Sequence, residues 1–218
     1  MSGKYAVLAV LVAATVVVKP WATAQDNKNE LTGVVGRMLI TDQKITGANA
    51  PSLNPYVRFG KGLTFEINYS RALLSTPVFG ISGEVPAVFN LDEDLGSGGD
   101  LVPKDIKQIF VTPAVRVNFF PETAVSPWAS VGGGFGRISE NKDLNYYGTN
   151  PGGSTTSGVL QFGAGLDLMP FRGRARNIGF RGQFRDFWSG TPSLPLAATG
   201  KTRQQNYFVG GGVLWRFK

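Results

Sequence analysis

The chain has 218 residues, 29 glycines, neither cysteine nor histidine, and a formal net charge of +7. That length holds one domain with a full core. The missing cysteine excludes a disulfide framework and an iron–sulfur site, and the missing histidine removes the usual general base, the usual zinc ligand and every Ser-His or Asp-His arrangement.

Residues 1–24 read as a separate unit. Lys4 supplies a positive start, Ala6 to Val18 form an apolar run, and Ala22-Thr23-Ala24 is a small-residue cleavage site before Gln25. As a helix the run spans roughly 20 Å, too short for a ~30 Å hydrocarbon core. The expectation is a cleaved signal peptide, residues 1–24, and one domain, residues 25–218, carrying +5 on 194 residues. No later stretch approaches ~20 consecutive apolar residues, so an exported chain of this kind is either soluble or a β-barrel.

Residues 25–30 are polar and read as a short periplasmic tail. From Leu31 to Ile40 the pattern alternates, with Thr32, Val34, Gly36, Met38 and Ile40 on one face and Gly33, Val35, Arg37 and Leu39 on the other. A turn-rich loop follows to Ser52. A strand from Leu53 to Gly60 is expected next, joined by Lys61-Gly62 to a third from Leu63 to Ser70. Residues 71–108 read as a long outer excursion, because Pro77, Gly83 and Pro86 interrupt the β-like stretch and an acidic, glycine-rich loop follows it.

Alternation resumes from Ile109 to Phe120, where Pro113 predicts a bulge or a locally unpaired position. Further strands are expected at Trp128–Arg137, Val159–Met169, Ile178–Trp188 and Gln205–Phe217. The last exceeds the ~5–6 residues usual in soluble sheets and suits a membrane-spanning strand. The connections between these eight strands alternate in length, about 10, 2, 35, 7, 18, 9 and 16 residues, as short periplasmic turns and longer outer loops do. The fold expected is all-β: an eight-stranded antiparallel up-and-down transmembrane β-barrel.

One face of most strands is apolar and often aromatic, and the other is glycine-rich with isolated charges. A soluble lipocalin-like barrel turns its apolar face inward, whereas a membrane barrel turns it to lipid. In the membrane reading Arg37, Arg58, Glu66, Arg116, Asp167, Arg181, Arg185 and Arg216 point into the lumen. Six are basic and two acidic. They form either a satisfied ion-pair network that fills the bore or a basic lumen that passes anions, and eight strands leave little open bore. Trp128, Trp188, Tyr207, Trp215 and Phe217 are expected in the interfacial aromatic girdles.

The ending Gly212, Trp215, Phe217 resembles the C-terminal signal of bacterial outer-membrane barrels, with Lys218 as a departure. The segments PWASVGGGFGR, SGVLQFGAGLDLM and FVGGGVLWRF resemble the small outer-membrane β-barrel family that includes the OmpA membrane domain and OmpX. The resemblance implies an integral outer-membrane protein that contacts lipid and lipopolysaccharide, meets the Bam assembly machinery during biogenesis and is a monomer. It carries no catalytic residues across. The barrel enzymes, namely lipid A deacylases, palmitoyl transferases and omptin-type proteases, resemble one another in needing a histidine, so no enzyme is expected. The role expected is structural or interactive through the outer loops; the alternative is a narrow pore with an Arg-rich lumen, and a weaker third reading is an exported soluble lipid-binding barrel.

Other motifs carry less. Gly132-Gly133-Gly134-Phe135-Gly136 lies in a strand with no helix after it, unlike a phosphate-cradling loop. Asp92, Glu93, Asp94 and Asp100 could hold calcium or form a solvated acidic loop. Arg172, Arg174 and Arg176 could meet anionic lipid phosphates or stay solvated. Spread singly along strands, the basic residues do not suggest nucleic acid. Neither a cofactor nor a metal is called for.

Overall fold

The computed structural model describes residues 28–46, 55–60, 62–97, 102–144, 148–149, 153–171, 176–191 and 202–218. The signal-peptide segment lies outside the described residues. Among the described residues there are eleven strands: β1 (Asn29–Ile40), β2 (Gln43–Lys44), β3 (Tyr56–Phe59), β4 (Leu63–Ser75), β5 (Phe79–Gly96), β6 (Asp105–Val111), β7 (Ala114–Phe119), β8 (Val125–Glu140), β9 (Ser154–Leu168), β10 (Ile178–Gly190) and β11 (Arg203–Phe217).

Eight of these positions close a ring. Its order is β1, β4, β5, β6 with β7, β8, β9, β10 and β11, and β11 pairs back onto β1 from Asn29↔Phe217 to Ile40↔Asn206. β6 and β7 together make one wall strand, split at Thr112-Pro113. The split is an unpaired position and not a bulge, because Ala87↔Val111 and Glu84↔Ala114 keep the same register on either side of it. Pro86 and Pro113 sit almost side by side there, so two missing N–H donors share one gap. Thr112 N–H reaches the Pro86 carbonyl at 3.3 Å within it.

The strand count agrees with the sequence reading, but its membership differs. Residues 79–96, read as an outer excursion, are the longest wall strand at 18 residues. The expected strand at 53–60 is not in the wall: its described part supplies only β3, which pairs with β2 and with the upper end of β5. Proline marked 79–96 as irregular, yet Pro86 faces Asn68 within a ladder that keeps one register from Thr64↔Asn90 to Ala72↔Ser82 and shifts only beyond it, between Ala72 and Leu74. Residues 41–62 are therefore the first outer connection, and 76–78 the first periplasmic turn.

Following opposed residues round the ring gives its geometry. Asn29 opposes Arg71, then Gly83, Val115, Val131, Phe162, Asp186, Tyr207 and finally Leu39. The path returns to β1 ten residues further on, which is the shear of the barrel. With about 3.3 Å per residue and about 4.8 Å between strands, this shear tilts the strands by roughly 40° and gives a backbone radius of roughly 8 Å. Such a bore is filled by side chains.

The two faces separate cleanly. Among the described residues, 32 large apolar side chains are exposed, including Leu31, Val35, Phe65, Ile67, Val131, Phe162, Phe180, Phe184, Val213 and Trp215. Polar and charged side chains such as Glu66, Asn68, Arg116, Gln161, Asp167 and Arg185 are buried inside. This is the reverse of a water-soluble barrel, and an apolar surface of that extent needs a hydrocarbon neighbour. Trp215 lies opposite Ile178, ten residues below Trp188 on β10. At the inferred tilt that interval is about 25 Å, the height of the apolar band of a membrane barrel. Exposed Trp188 and Trp215 mark its two edges, with Phe217 stacked on Trp215 at 4.8 Å and Tyr207 on Phe184 at 5.8 Å.

Candidate functional site

The lumen is layered along the barrel axis. The periplasmic half holds a charge network, above it lies an apolar layer, and above that an amide ring and a cap. Strand alternation puts every second residue of each wall strand inside, so the residues of each layer come from many strands at matching heights.

Glu30 on β1 is the lowest hub. It accepts from Arg116 Nη2 at 2.9 Å, from Arg181 Nη2 at 2.7 Å and from Arg216 Nε at 3.0 Å. Asp167 on β9 accepts twice from Arg181, at 2.7 and 2.8 Å, and lies 3.7 Å from Arg216 Nη2. Higher up, Arg185 lies 2.8 Å from Glu84 and 3.0 Å from Glu66. Gln183 donates to Glu66 at 2.6 Å, and Asn68 donates to Glu84 at 2.9 Å. Arg116 closes the circuit, 3.5 Å from Glu84.

Trp128 on β8 stands in the middle of this network. Its indole N–H donates to Asp167 at 3.1 Å. The guanidinium carbons of Arg181, Arg185 and Arg116 lie 5.1, 5.3 and 5.9 Å from its ring centroid. Arg185 Nη2 has no hydrogen-bond partner, and the electron-rich ring face offsets part of that loss. Trp128 was expected in an interfacial girdle; at 2% exposure it is a lumen residue. The signal lay in its own strand, since it shares the even face with Gly132, Gly134 and Gly136.

Of the eight charges expected inside, Glu66, Arg116, Asp167, Arg181, Arg185 and Arg216 are brought together. Arg37 and Arg58 are not. Arg37 is exposed on the outward face of β1, because Glu30, Thr32, Val34, Met38 and Ile40 occupy the inward face. Arg58 is exposed on the cap strand β3, outside the wall. Glu30 and Glu84, which the sequence reading left out, complete the set. Four arginines therefore face four carboxylates in this network, and the expected basic surplus is absent.

The apolar layer closes the bore above the ions. Val34, Met38, Ile40, Val88, Phe110, Val159, Phe187 and Phe208 form one buried cluster. Phe110 and Phe187, from β6 and β10, stack across the lumen at 4.9 Å with rings 9° from parallel. On top, Gln108 donates to Asn206 and Asn90 to Gln108, each at 3.4 Å, and Asn206 donates to Ser189 at 3.0 Å. The outer end is capped by a second apolar cluster of Ile45, Val57, Leu95, Val102, Ile106 and Ile138. Glu93 pins the cap by accepting from Gly62 N–H at 2.9 Å and Asn90 at 2.8 Å.

At the periplasmic mouth, beside Glu30, Arg116 and Arg216, the free volume is about 30 Å³, room for about one water molecule. Asp92 and Asp94 are exposed beside inward-facing Glu93, while Asp100, Arg172 and Arg174 lie outside the described residues. Among the described residues no cluster of acidic side chains has the grouping of a metal site. Gly212 faces inward on the β1–β11 seam, where a Cβ would collide with the Gly33 carbonyl oxygen and lie 2.7 Å from Val34 Cα. Trp215 faces outward and exposed at the same end.

No family model matches the chain, and no curated protein matches it. Solved structures do. Neisserial surface protein A superposes with a TM-score of 0.52 at 13% identity, over 87% of this chain and 97% of that one. Ail, the attachment invasion locus protein of Yersinia pestis, matches at 16% identity and a TM-score of 0.43, over 86% and 99% of the two chains. The outer membrane enzyme PagL matches at 12% identity and a TM-score of 0.42, over 84% and 97%. The fold is thus that of the small bacterial outer-membrane β-barrels.

Proposed function

We propose that the chain is a non-enzymatic, solute-tight protein of the outer membrane that anchors its capped outer end and loops at the cell surface for contact with partners. The observation that carries this reading is the apolar layer with its Phe110–Phe187 stack, which lies across the bore between the ion network and the cap. The ion network below it supports the same reading. Each of its four carboxylates is held by arginine, so none is placed as a free acid or base, and the chain has no histidine.

A pore is the second reading, since the interior is rich in arginine. Matched acids remove the fixed positive potential that would draw anions. Planar-bilayer recording separates the two. The solute-tight reading predicts no sustained single-channel steps from the refolded protein. Steps that Arg181→Gln or Arg116→Gln weakens would establish the pore instead.

Gly212, Trp215 and Phe217 act in this proposal as the assembly signal read by the Bam machinery, with lipid and lipopolysaccharide as the surrounding partners. The exposure of Trp215 at the periplasmic edge, with Phe217 stacked beside it, supports that role. Trp215→Ala with Phe217→Ala should leave unassisted refolding into vesicles intact and lower the outer-membrane yield in cells. Equal losses in both assays would make the pair structural only.

A further inference from the structure

Among the described residues, the outward face of the wall carries two charges between its tryptophan girdles, and they stand close together. Other outward charges, Arg71, Lys107 and Arg137 among them, lie at or beyond the edges of the apolar band. Arg37 on β1 and Asp186 on β10 both point outward, on either side of β11. Asp186 sits between Phe184 and Trp188, below the outer tryptophan girdle, and opposes Phe162 on one side and Tyr207 on the other. Its Oδ1 is shielded from solvent and has no hydrogen-bond partner. Ionisable groups facing hydrocarbon are rare and costly, and they ordinarily mark a contact.

The register fixes where the two charges stand. Asp186 opposes Tyr207, and Tyr207 opposes Leu39. The path of opposed residues climbs ten residues in eight steps, so two steps climb about 2.5 residues. The point on β1 level with Asp186 is thus about 2.5 residues below Leu39, within about 1 Å of the height of Arg37. The charges are roughly 12 Å apart along the wall. Their midpoint falls on β11 between Tyr207 and Val209, both outward-facing.

Opposite charges at one height, placed symmetrically about a point on an apolar wall, are self-complementary. A two-fold axis along the membrane normal through that point sets Asp186 of each copy against Arg37 of the other. It also brings Tyr207 and Val209 of each copy beside their own equivalents. An isologous contact needs this arrangement, and a shared height is required because both copies stand in the same bilayer. We propose that the β10–β11–β1 face is the dimer interface of this protein, closed by two reciprocal Asp186–Arg37 pairs. This revises the monomer expected from the sequence. A lipid molecule seated on the same face is the competing occupant, but it offers no reason for the two charges to share a height.

The chain has no cysteine, so a single Val209→Cys gives an unambiguous probe. Oxidised in vesicles at low protein density, this variant should run as a disulfide-linked dimer, while Val115→Cys, exposed on β7 across the barrel, should stay monomeric. Adding Asp186→Arg or Arg37→Asp to the Val209→Cys background sets like charges together and should lower the cross-linked fraction at least about tenfold. Both changes together should restore it. The mobility difference between boiled and unboiled samples checks that each variant is folded. Absence of the Val209→Cys dimer in folded protein would overturn the proposal, as would equal cross-linking from Val115→Cys. Charge variants that alter bound lipid and leave cross-linking unchanged would overturn it in favour of the lipid.

Discussion

Replacing Glu30 by glutamine keeps its size and removes the charge on which three arginines converge. Arg116, Arg181 and Arg216 all donate to this carboxylate, at 2.9, 2.7 and 3.0 Å. Breaking a buried ion pair costs about 3–5 kcal/mol, mostly because the remaining charge is left uncompensated. Here each arginine keeps a second carboxylate: Arg181 keeps Asp167 at 2.7 Å, Arg116 keeps Glu84 at 3.5 Å and Arg216 keeps Asp167 at 3.7 Å. The residual partners place the expected loss at the low end, about 3 kcal/mol. Urea unfolding of protein refolded into vesicles, followed by tryptophan emission and gel mobility, measures it. Arg216 is the least buried of the three, with 14% of its side chain exposed. Glu30→Gln with Arg216→Gln restores charge balance, so it should recover part of the stability. A Glu30→Gln midpoint equal to wild type would refute the hub.

Three other outcomes follow from neighbouring features. Trp128→Phe loses a hydrogen bond to a carboxylate and weakens a ring face shared by three arginines, and should cost about 2 kcal/mol in the same unfolding assay. It should also remove the emission component that lipid-phase quenchers do not reach, because Trp188 and Trp215 face lipid. Gly212→Ala drives a Cβ into the β1 backbone and should cost about 1–3 kcal/mol or prevent closure, read as loss of the fast-migrating folded band. Glu93 stands above the apolar band, where burial raises its carboxyl pKa, with Asp94 and Asp92 adding to the rise against the hydrogen bonds from Asn90 and Gly62. The folded cap then binds the proton more tightly than the unfolded chain does, so cap stability is full below the ordinary carboxylate range and falls as pH rises through the raised value. Exchange protection of the Ile45 and Gly60 amides, corrected for intrinsic rates, should fall across that window in wild type and not in Glu93→Gln.

Much of the barrel was legible because six of its eight wall positions alternate without ambiguity over at least part of their length. On β9, leucines and Phe162 oppose Gln161, Gly163 and Asp167; on β10, Phe180 and Phe184 oppose Arg181 and Arg185. β1 was read the wrong way round because both of its faces are mixed. A single arginine tipped the choice, whereas Val34, Met38 and Ile40 belong to the apolar layer inside. Local pattern cannot reveal an apolar stratum within a polar lumen, since that stratum exists only where β1, β5, β6, β9, β10 and β11 reach one height.

β5 was missed for the opposite reason. Pro86 and Gly83 weigh against a strand locally, but the neighbouring strands absorb the lost donor. Glu84 was lost with it, and Glu30 was lost because it follows a polar run that looks like a tail. One signal could have found both. Six arginines against two acids in a bore of this width cannot be balanced, which demands more acids on inward positions. Glu30 lies two residues before Thr32 on one alternating face, as such an acid must.

The central claim is a closed ring whose first and last strands meet, and amide hydrogen exchange on the refolded protein tests it most directly. β1 and β11 are paired along twelve opposed positions from Asn29↔Phe217 to Ile40↔Asn206. Amides of both strands within the apolar band, those of Val35, Gly210 and Gly212 among them, should therefore be as protected as those at the centre of β10. Rapid exchange along β1 and β11, with protection retained in β8 to β10, would show an open sheet with two free edges and contradict the account.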